Sequence, residues 1–334
     1  MQWNKGYTAQ FYAAEVDADT WHDKDVIQIT SGSISRSTDG LRESADITCR
    51  DFSSNTEKWI RVYLNAKQGG NITHTPIFTG LAVSPEESID GNIKEYPVQC
   101  YSVLQPAEDV LLERGWYAPV DINGAELVKR LLSVSPAPVE IVDESKGLTK
   151  AIVAENGETN LSMANKILKV IDRQLRILGD GTIQICSQPK EPTAEFDTYN
   201  NDSVEPKINK KRDWFKCPNV FRAIQGDMTA IARDDDPNSI LSTVTRGREV
   251  WKQESVSSLN SGEGISAYAS RRLKEEQAVG ISISYSRRYR PNLLVGDVVN
   301  LNFPKQGIVG NYRITSQSIE LSHNARTSEE VSSA

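Results

Sequence analysis

The residues best placed for chemistry are three consecutive acids, Asp234–Asp236, which together could coordinate a hard cation such as Ca²⁺. A calcium-binding loop needs glycine at its sixth position and a bidentate glutamate at its twelfth. Counted from the first of the acids, those positions hold Ser239 and Thr245. The acids also come directly before Pro237. The pattern is therefore more typical of an exposed acidic turn than of a metal site.

A glycine-containing segment, Gly262–Ala267, matches the G-x-G-x-x-A form of dinucleotide-binding loops and opens a predicted helix over residues 263–278. Such a loop follows a hydrophobic strand inside a β–α–β unit, because the helix N-terminus and the glycines must meet a pyrophosphate. Here the preceding residues, 256–261, form a polar loop. We therefore predict an ordinary helix with Ser261 as its N-cap and no nucleotide site.

The remaining titratable and nucleophilic residues provide no recognisable site. No two cysteines have the CxxC spacing, and the histidines are far apart, so we predict buried free thiols and no zinc site. The sequence has no Walker A loop and no G-x-S-x-G elbow. We predict no catalytic residue, no cofactor and no metal ligand. The cysteines and histidines are Cys49, Cys100, Cys186, Cys217, His22, His74 and His323.

Two basic groups are candidates for contacts with nucleic acid, one within residues 207–212 and one within residues 287–290. The whole chain has a net charge of −7 and a pI near 5.3, whereas binding to phosphates depends on clustered cations. We interpret the first group as a solvated linker. We interpret the second as charge that protects an edge strand, or as salt bridges to an acidic neighbouring subunit. We predict no sequence-specific nucleic-acid binding. The residues are Lys207, Lys210, Lys211, Arg212, Arg287, Arg288 and Arg290.

The elements that must position these residues are mostly strands. In the segment 59–64, Ile60, Val62 and Leu64 alternate with larger polar or aromatic residues, which predicts a strand with one apolar face. Near the end of the chain, residues 292–322 contain two apolar strands separated by a glycine turn. This segment is typical of the closing hairpin of an antiparallel sheet or barrel. It contains no group arranged for chemistry, and we expect it to organise the fold.

We predict a mainly β protein with an inserted α/β unit, in which the β unit is duplicated. The 334 residues are enough for about two domains. No stretch approaches the roughly 18 apolar residues of a membrane helix, and the N-terminus has no secretory signal, so we predict no membrane segment. The expected segments are a β barrel or sandwich at 1–104, a small α/β unit at 105–190, a polar linker at 191–213, and a second β unit with one helix at 214–334.

The C-terminal third of the sequence resembles the tail-hub, or baseplate-hub, proteins of tailed bacteriophages and related contractile injection particles. The resemblance is firmest over residues 212–320, and it includes the phrases L-L-V-G-D-V-V at 293–299 and G-N-Y-R-I at 310–314. The N-terminal stretch Ser31–Asp51 is similar to the opening barrel of those hubs. The other phrases that carry the resemblance are Arg212–Val220, Ser242–Glu249 and the helix Ala267–Glu276.

The resemblance implies two tube-like antiparallel β-barrel domains and a small α/β domain in each subunit of a homotrimeric ring. Six barrels would then match a sixfold tail tube, and the smaller domains would face a threefold spike or fibre. The implied partners are tail tube, distal tail or baseplate, spike or tip, and tape-measure proteins. The implied location is the virion tail, assembled in the host cytoplasm. The ring would line a channel for DNA or effectors and would not be an enzyme.

Two further functions stay open from the sequence. One is a tail-associated cell-wall hydrolase with Asp and Glu residues as acid and base. The other is a receptor-binding or glycan-binding tail module that uses exposed aromatic rings. Large rings also dominate cores and subunit interfaces, which is the competing interpretation. The aromatic candidates are Trp116, Tyr117, Trp214, Phe215 and Trp251.

Overall fold

The chain is mostly β: half of it lies in strands, which confirms the predicted fold class. A computed structural model describes all residues except 4, 51, 53–55, 84–85, 92, 144, 146, 198–203, 213, 216, 261, 279–280 and 334. The strands are β1 (Thr8–Val16), β2 (Asp23–Ile27), β3 (Ile29–Ser37), β4 (Glu43–Cys49), β5 (Lys58–Gln68), β6 (Asn71–Val83), β7 (Ser88–Asp90), β8 (Ile93–Ser102), β9 (Tyr117–Ala118), β10 (Val139–Ile141), β11 (Ile152–Val153), β12 (Gln174–Ile177), β13 (Ile183–Cys186), β14 (Pro192–Asp197), β15 (Val204–Arg212), β16 (Val220–Gln225), β17 (Met228–Arg233), β18 (Trp251–Ser255), β19 (Ile281–Arg288), β20 (Val298–Phe303), β21 (Ile308–Glu320) and β22 (Arg326–Ser333). The helices are α1 (Gln105–Asp109), α2 (Gly124–Leu132), α3 (Asn160–Val170), α4 (Thr243–Arg246) and α5 (Ile265–Ala278), with a 3₁₀ turn at Pro304–Gln306.

Most strands belong to one fourteen-stranded sheet. Its hydrogen-bonded order is β15-β19-β22-β21-β3-β4-β8-β6-β5-β1-β2, with β20 and β14 attached beside β21 and β7 beside β8. Strand β21 runs antiparallel to β3, so that Ser316 lies opposite Ser37 and Glu320 opposite Ser33. The long strand of the predicted closing hairpin therefore joins the first β segment of the chain to the last.

The sheet wraps around two separate cores. The N-terminal half (β1–β8) buries Ile60, Val62 and Leu64 on one face of β5, as their alternation predicts. The same core contains Ile319 from β21, so the end of the chain completes it. The C-terminal half (β14, β15 and β19–β22) has its own core, in which Phe196 is fully buried.

The α/β insert (α1–α3 and β9–β13) forms a third core from the apolar faces of its helices. Each of its two longer helices begins at a polar cap. The Asn123 side chain accepts hydrogen bonds from Ala125 N at 3.0 Å and from Glu126 N at 3.2 Å. Thr159 Oγ1 accepts from Ser162 N at 3.0 Å. These caps satisfy backbone N–H groups that the first turn of a helix leaves unpaired, and they fix where α2 and α3 begin.

A fourth core lies in the helix–sheet unit (β16–β18 and α5). Helix α5 covers one face of the three-stranded sheet β17-β16-β18. Tyr268 and Leu273 of the helix pack with Phe221 and Ala223 of β16 in this core. The predicted N-cap of this helix, Ser261, lies outside the described residues. Within the part of the chain that the structure describes, no helix is long and apolar enough to span a membrane.

The prediction of a polar linker at 191–213 is wrong, because this segment supplies two strands of the main sheet. Strand β14 pairs in parallel with β20 and buries Phe196. Strand β15 pairs antiparallel with β19, with Asn209 opposite Ser284. Its composition is polar because β15 is the last strand of the sheet path, where side chains such as Lys207 stay exposed to solvent.

The turn between β12 and β13 docks the insert on the N-terminal half. Thr79 Oγ1 donates to Gly179 O at 2.9 Å, and Trp21 Nε1 donates to Asp180 O at 3.0 Å. The backbone of the turn lies directly against β6: a Cβ added at Gly179 would be 2.0 Å from Pro76 O. Only glycine allows this approach, so the position couples a local turn to the placement of the whole insert.

We expect Gly179→Ala to lower the free energy of unfolding by about 1–3 kcal/mol, because the new methyl group forces the turn away from β6. Gly264→Ala is the matched control, since a Cβ at Gly264 meets nothing within 4 Å. Urea unfolding curves of the two variants and the wild type measure the difference. A Gly179→Ala curve that overlays the wild-type curve would contradict the docking described here.

Candidate functional site

The acidic turn Asp234–Asp236 uses its carboxylates to hold a loop. Asp234 Oδ2 accepts hydrogen bonds from Ser239 Oγ at 2.7 Å and from Gln277 Nε2 at 3.0 Å. Among the described residues, no group of three or more His, Cys, Asp or Glu side chains is placed to hold a metal ion. The geometry supports the acidic-turn interpretation, because these oxygens already bind donors of the turn and of α5.

The segment Gly262–Ala267 lacks the surroundings of a dinucleotide loop. The strand before it, β18, and the strand after α5, β19, lie in different sheets, so there is no β–α–β unit here. The loop before the helix instead contacts the insert: Thr149 Oγ1 donates to Leu259 O at 2.7 Å, and Lys150 N donates to Ser258 Oγ at 2.9 Å. This loop therefore connects two units of the fold.

The prediction of buried free thiols is confirmed, since all four cysteines are free and buried. Burial raises the pKa of Cys49 to about 12. Burial also raises the pKa of Cys100 far above its ordinary value. A nucleophilic or metal-binding cysteine needs the opposite environment, an accessible thiol with a lowered pKa.

Of the three arginines at the end of β19 and just after it, Arg287 and Arg290 are buried and Arg288 is half-buried. Strand β19 lies between β15 and β22, so it is not an edge strand. Arg287 Nε donates to Glu329 Oε2 at 2.7 Å, a second nitrogen donates to Oε1, and neither side chain is exposed to solvent. For Arg287, the predictions of edge protection and of a pair with a neighbouring subunit are therefore wrong. The Arg287 guanidinium also lies over the Phe196 ring, 5.7 Å from its centroid.

A polar network extends from this ion pair into the N-terminal half. Gln317 Nε2 donates to Glu329 Oε1 at 2.7 Å and to Leu293 O at 3.0 Å. Arg36, on β3, donates through Nη1 to Gln317 Oε1 at 3.5 Å and to Tyr289 OH at 3.2 Å. These contacts join the two halves through buried charges. Local sequence patterns do not predict these contacts, because the partners are far apart in the chain.

Two further contacts secure the same junction. Tyr7 OH donates to Tyr289 O at 2.7 Å, and Arg288 Nη1 donates to Tyr7 O at 2.6 Å. On the other side, Arg36 Nε lies 3.4 Å from Glu43 Oε2 in a pair that is almost completely buried. Burial raises the pKa of Glu43 to about 7. A cavity of about 30 Å³ beside Arg36 and Glu43 has room for ordered water.

The insert docks on the C-terminal half through the L-L-V-G-D-V-V phrase at 293–299. Arg176 Nη1 lies 3.0 Å from Asp297 Oδ1, and Asp297 is buried. Asp297 Oδ2 accepts a hydrogen bond from Leu294 N at 2.9 Å. Burial raises the pKa of Asp297 above its ordinary value. The aspartate of the phrase that resembles tail hubs is thus a structural residue at a junction between units.

The five aromatic candidates do not behave alike. Trp116 packs against the core of the insert, and Trp214 is half-buried. Tyr117, Phe215 and Trp251 are exposed by 57%, 77% and 44%. Tyr117 is in the two-stranded sheet of the insert, whereas Trp251 is in the helix–sheet unit. Neither the core interpretation nor the surface interpretation therefore covers all five residues.

Solved structures with similar folds are tail proteins. The chain matches the tail protein from Neisseria meningitidis MC58 with a TM-score of 0.72 and 14% identity, over 98% of this chain and 97% of that chain. It matches the prophage MuSo2 43 kDa tail protein from Shewanella oneidensis with a TM-score of 0.69 and 14% identity, over 96% of each chain. No protein family and no curated protein sequence matches the chain.

A third similar structure is the E. coli c3393 protein. It is described as a component of the type VI secretion system with structural similarity to the T4 bacteriophage tail proteins gp27 and gp5. The match has a TM-score of 0.54 and 9% identity, over 91% of this chain and 73% of that chain. At these identities the comparisons show a shared fold. The chain therefore shares the fold of solved phage tail proteins, in agreement with the family resemblance of its sequence phrases.

We expect Glu329→Gln to lower the free energy of unfolding by about 3–5 kcal/mol, because Arg287 would stay buried without a compensating charge. Glu205→Gln is the matched control: Glu205 pairs with Arg326 at 2.6 Å, but the side chains of Arg326 and Glu205 are 45% and 42% exposed. The control should have little effect, since solvent screens exposed pairs. Chemical denaturation measures both variants, and equal effects would contradict a special role for the buried pair.

We also expect the raised pKa of Glu43 to make stability depend on pH. Between the ordinary pKa of 4.5 and about 7, the folded protein holds a proton on Glu43 that the unfolded chain has lost. Stability from this group therefore falls as the pH rises through that range and is constant outside it. Urea midpoints from pH 4 to pH 8 should show Glu43→Gln gaining stability relative to wild type as the pH rises. Parallel profiles would contradict the prediction.

Proposed function

We propose that this chain is a structural tail hub. It forms a homotrimeric ring that joins a sixfold tail tube to a threefold tip or spike and lines a channel for DNA or effector passage. The observation that carries the proposal is the similarity of nearly the whole chain to solved tail proteins. The function is assembly, and we propose that the chain has no catalytic turnover.

Two β halves in each subunit would allow a threefold ring to match a sixfold tail tube. Three subunits with two similar β units each present six units to a sixfold partner, while the insert occurs only three times. We propose that each half is a closed, tube-like barrel. Support for the N-terminal barrel comes from Ala9 N, which donates to His323 O at 3.2 Å. In the strand order of that half, β1 lies near one end and β21 lies at the other. The bond brings β1 beside the residues that follow β21, as closure of a barrel would require.

The C-terminal half has the same potential for closure. Its strand order is β14-β20-β21-β22-β19-β15, and its two outermost strands, β14 and β15, are consecutive in the chain. We propose a first barrel over residues 1–104, an inserted domain over 105–190, and a second barrel after residue 190 that carries the helix–sheet unit. The segment 191–213 then belongs to the second barrel.

The proposed partners follow from this arrangement. The ring of barrels contacts the tail tube and the distal tail or baseplate proteins, and the inserted domains face the spike or tip. The tape-measure protein contacts the ring at the channel. The proposed location is the virion tail, after assembly in the host cytoplasm. The similar structures are described as phage tail proteins and as a type VI secretion component, which supports a place in such an assembly.

Light scattering coupled to size exclusion tests the proposal, and we expect a mass of three times 37.1 kDa. A tail tube protein with purified hub should form a larger complex on the same column. A monomer that stays monomeric at high concentration and with the tube protein would contradict the ring. Zymography on peptidoglycan is the second test. If the protein lyses peptidoglycan and a single carboxylate substitution abolishes the lysis, the result would support a hydrolase instead of a structural hub.

A further inference from the structure

A cavity of about 490 Å³ lies where the main sheet, the insert and the helix–sheet unit meet. Its walls come from the turn between β3 and β4, from α3 and the residues after it, from α5, and from β21. The lining has an excess of positive charge, although the whole chain has a net charge of −7. The basic residues of the lining are Arg42, Lys169, Arg173, Arg271, Arg272 and Arg313, and the acidic ones are Asp39, Asp172 and Glu275.

The arginines on the α5 wall are already neutralised by carboxylates. Arg271 Nε lies 3.1 Å from Glu263 Oε1. Arg272 Nη2 lies 2.9 Å from Glu276 Oε1. Both arginines also pair with Glu275. This wall is therefore held together by ion pairs and contributes little free positive charge to the cavity.

The arginines on the sheet side are in a different situation. Arg42 donates to Thr38 O at 2.6 Å and to Asn165 Oδ1 at 3.3 Å. Arg313 donates to two backbone carbonyls, at 2.8 Å and 2.9 Å. Within the described residues, neither arginine forms an ion pair with a carboxylate. Burial lowers the pKa of both, because desolvation disfavours the charged form, and the nearby carboxylates of Asp39 and Asp297 offset this effect only in part.

We propose that this cavity binds an oxyanion group, a phosphate or a carboxylate, between Arg42 and Arg313. A guanidinium presents planar donors that match both kinds of oxyanion. A ligand at this place would touch elements from three units of the fold and would hold them together. It would also raise the thermal stability of the folded chain by mass action. This binding site does not depend on the hub function, because it lies within one subunit.

Isothermal titration calorimetry tests the site with two probes, inorganic pyrophosphate and a tri-glutamate peptide. We expect measurable binding that Arg42→Gln and Arg313→Gln each weaken by about tenfold or more, because each removes a charged hydrogen-bond donor. Arg222→Gln is the matched control: Arg222 stacks over Trp251, 4.8 Å from the ring centroid, outside the cavity. The control should bind like the wild type. Arg42→Lys and Arg313→Lys keep the positive charge. If the lysine variants bind the probe and the glutamine variants do not, the loss comes from the missing charge and not from a loss of folding.

The two probes distinguish the sources of the oxyanion. Binding of pyrophosphate alone would indicate a phosphate-bearing small molecule, and binding of the peptide would indicate an acidic segment of a partner protein. Either result supports the site if the glutamine variants weaken it. The proposal is overturned if neither probe binds to the wild type, or if both glutamine variants bind as tightly as Arg222→Gln.

Discussion

The rest of the structure depends on the buried ion pair between Arg287 and Glu329, because neither charge is tolerated in the interior without the other. Gln317 and Arg36 extend the pair from the C-terminal half into the N-terminal half. Apolar packing fills both cores, but a polar network is less tolerant of displacement, since a shifted strand would leave a charge unpaired. The network therefore fixes the register of β21 against β3 and with it the relation of the two halves.

The insert is attached to both halves by polar contacts of one hairpin, β12 and β13 with the turn between them. The turn at Gly179 lies against β6 of the N-terminal half, and Arg176 pairs with Asp297 of the C-terminal half. The helix–sheet unit is joined to the insert through Thr149 and Leu259. The proposed role as a symmetry adaptor would require a subunit whose units are fixed to one another, and these contacts fix them. The arginine-lined cavity lies where three of these units meet, so a ligand bound there would contact all three.

Local patterns predicted the local features of this fold. The alternation of residues 59–64 predicted a buried strand face, because the period of a strand is a property of neighbouring residues. The acidic turn before Pro237 is also a local feature, because the three acids and the proline are adjacent in the sequence. The buried pair is not predictable in this way. The sequence favours Arg287 as charge that protects an edge strand or as a partner for a neighbouring subunit, since nothing near it in sequence indicates Glu329. The polar composition of 191–213 likewise concealed β14 and β15, whose partners β20 and β19 come much later in the chain.

A threefold ring of paired β halves is the central claim, and electron cryomicroscopy of the purified protein tests it most directly. We predict end-on views with threefold symmetry, in which six β units surround a central channel at nearly equal spacing. The inserts should project three times around one face of that ring. Particles of single chains, or rings in which the two halves of each chain do not alternate around a common channel, would contradict the claim.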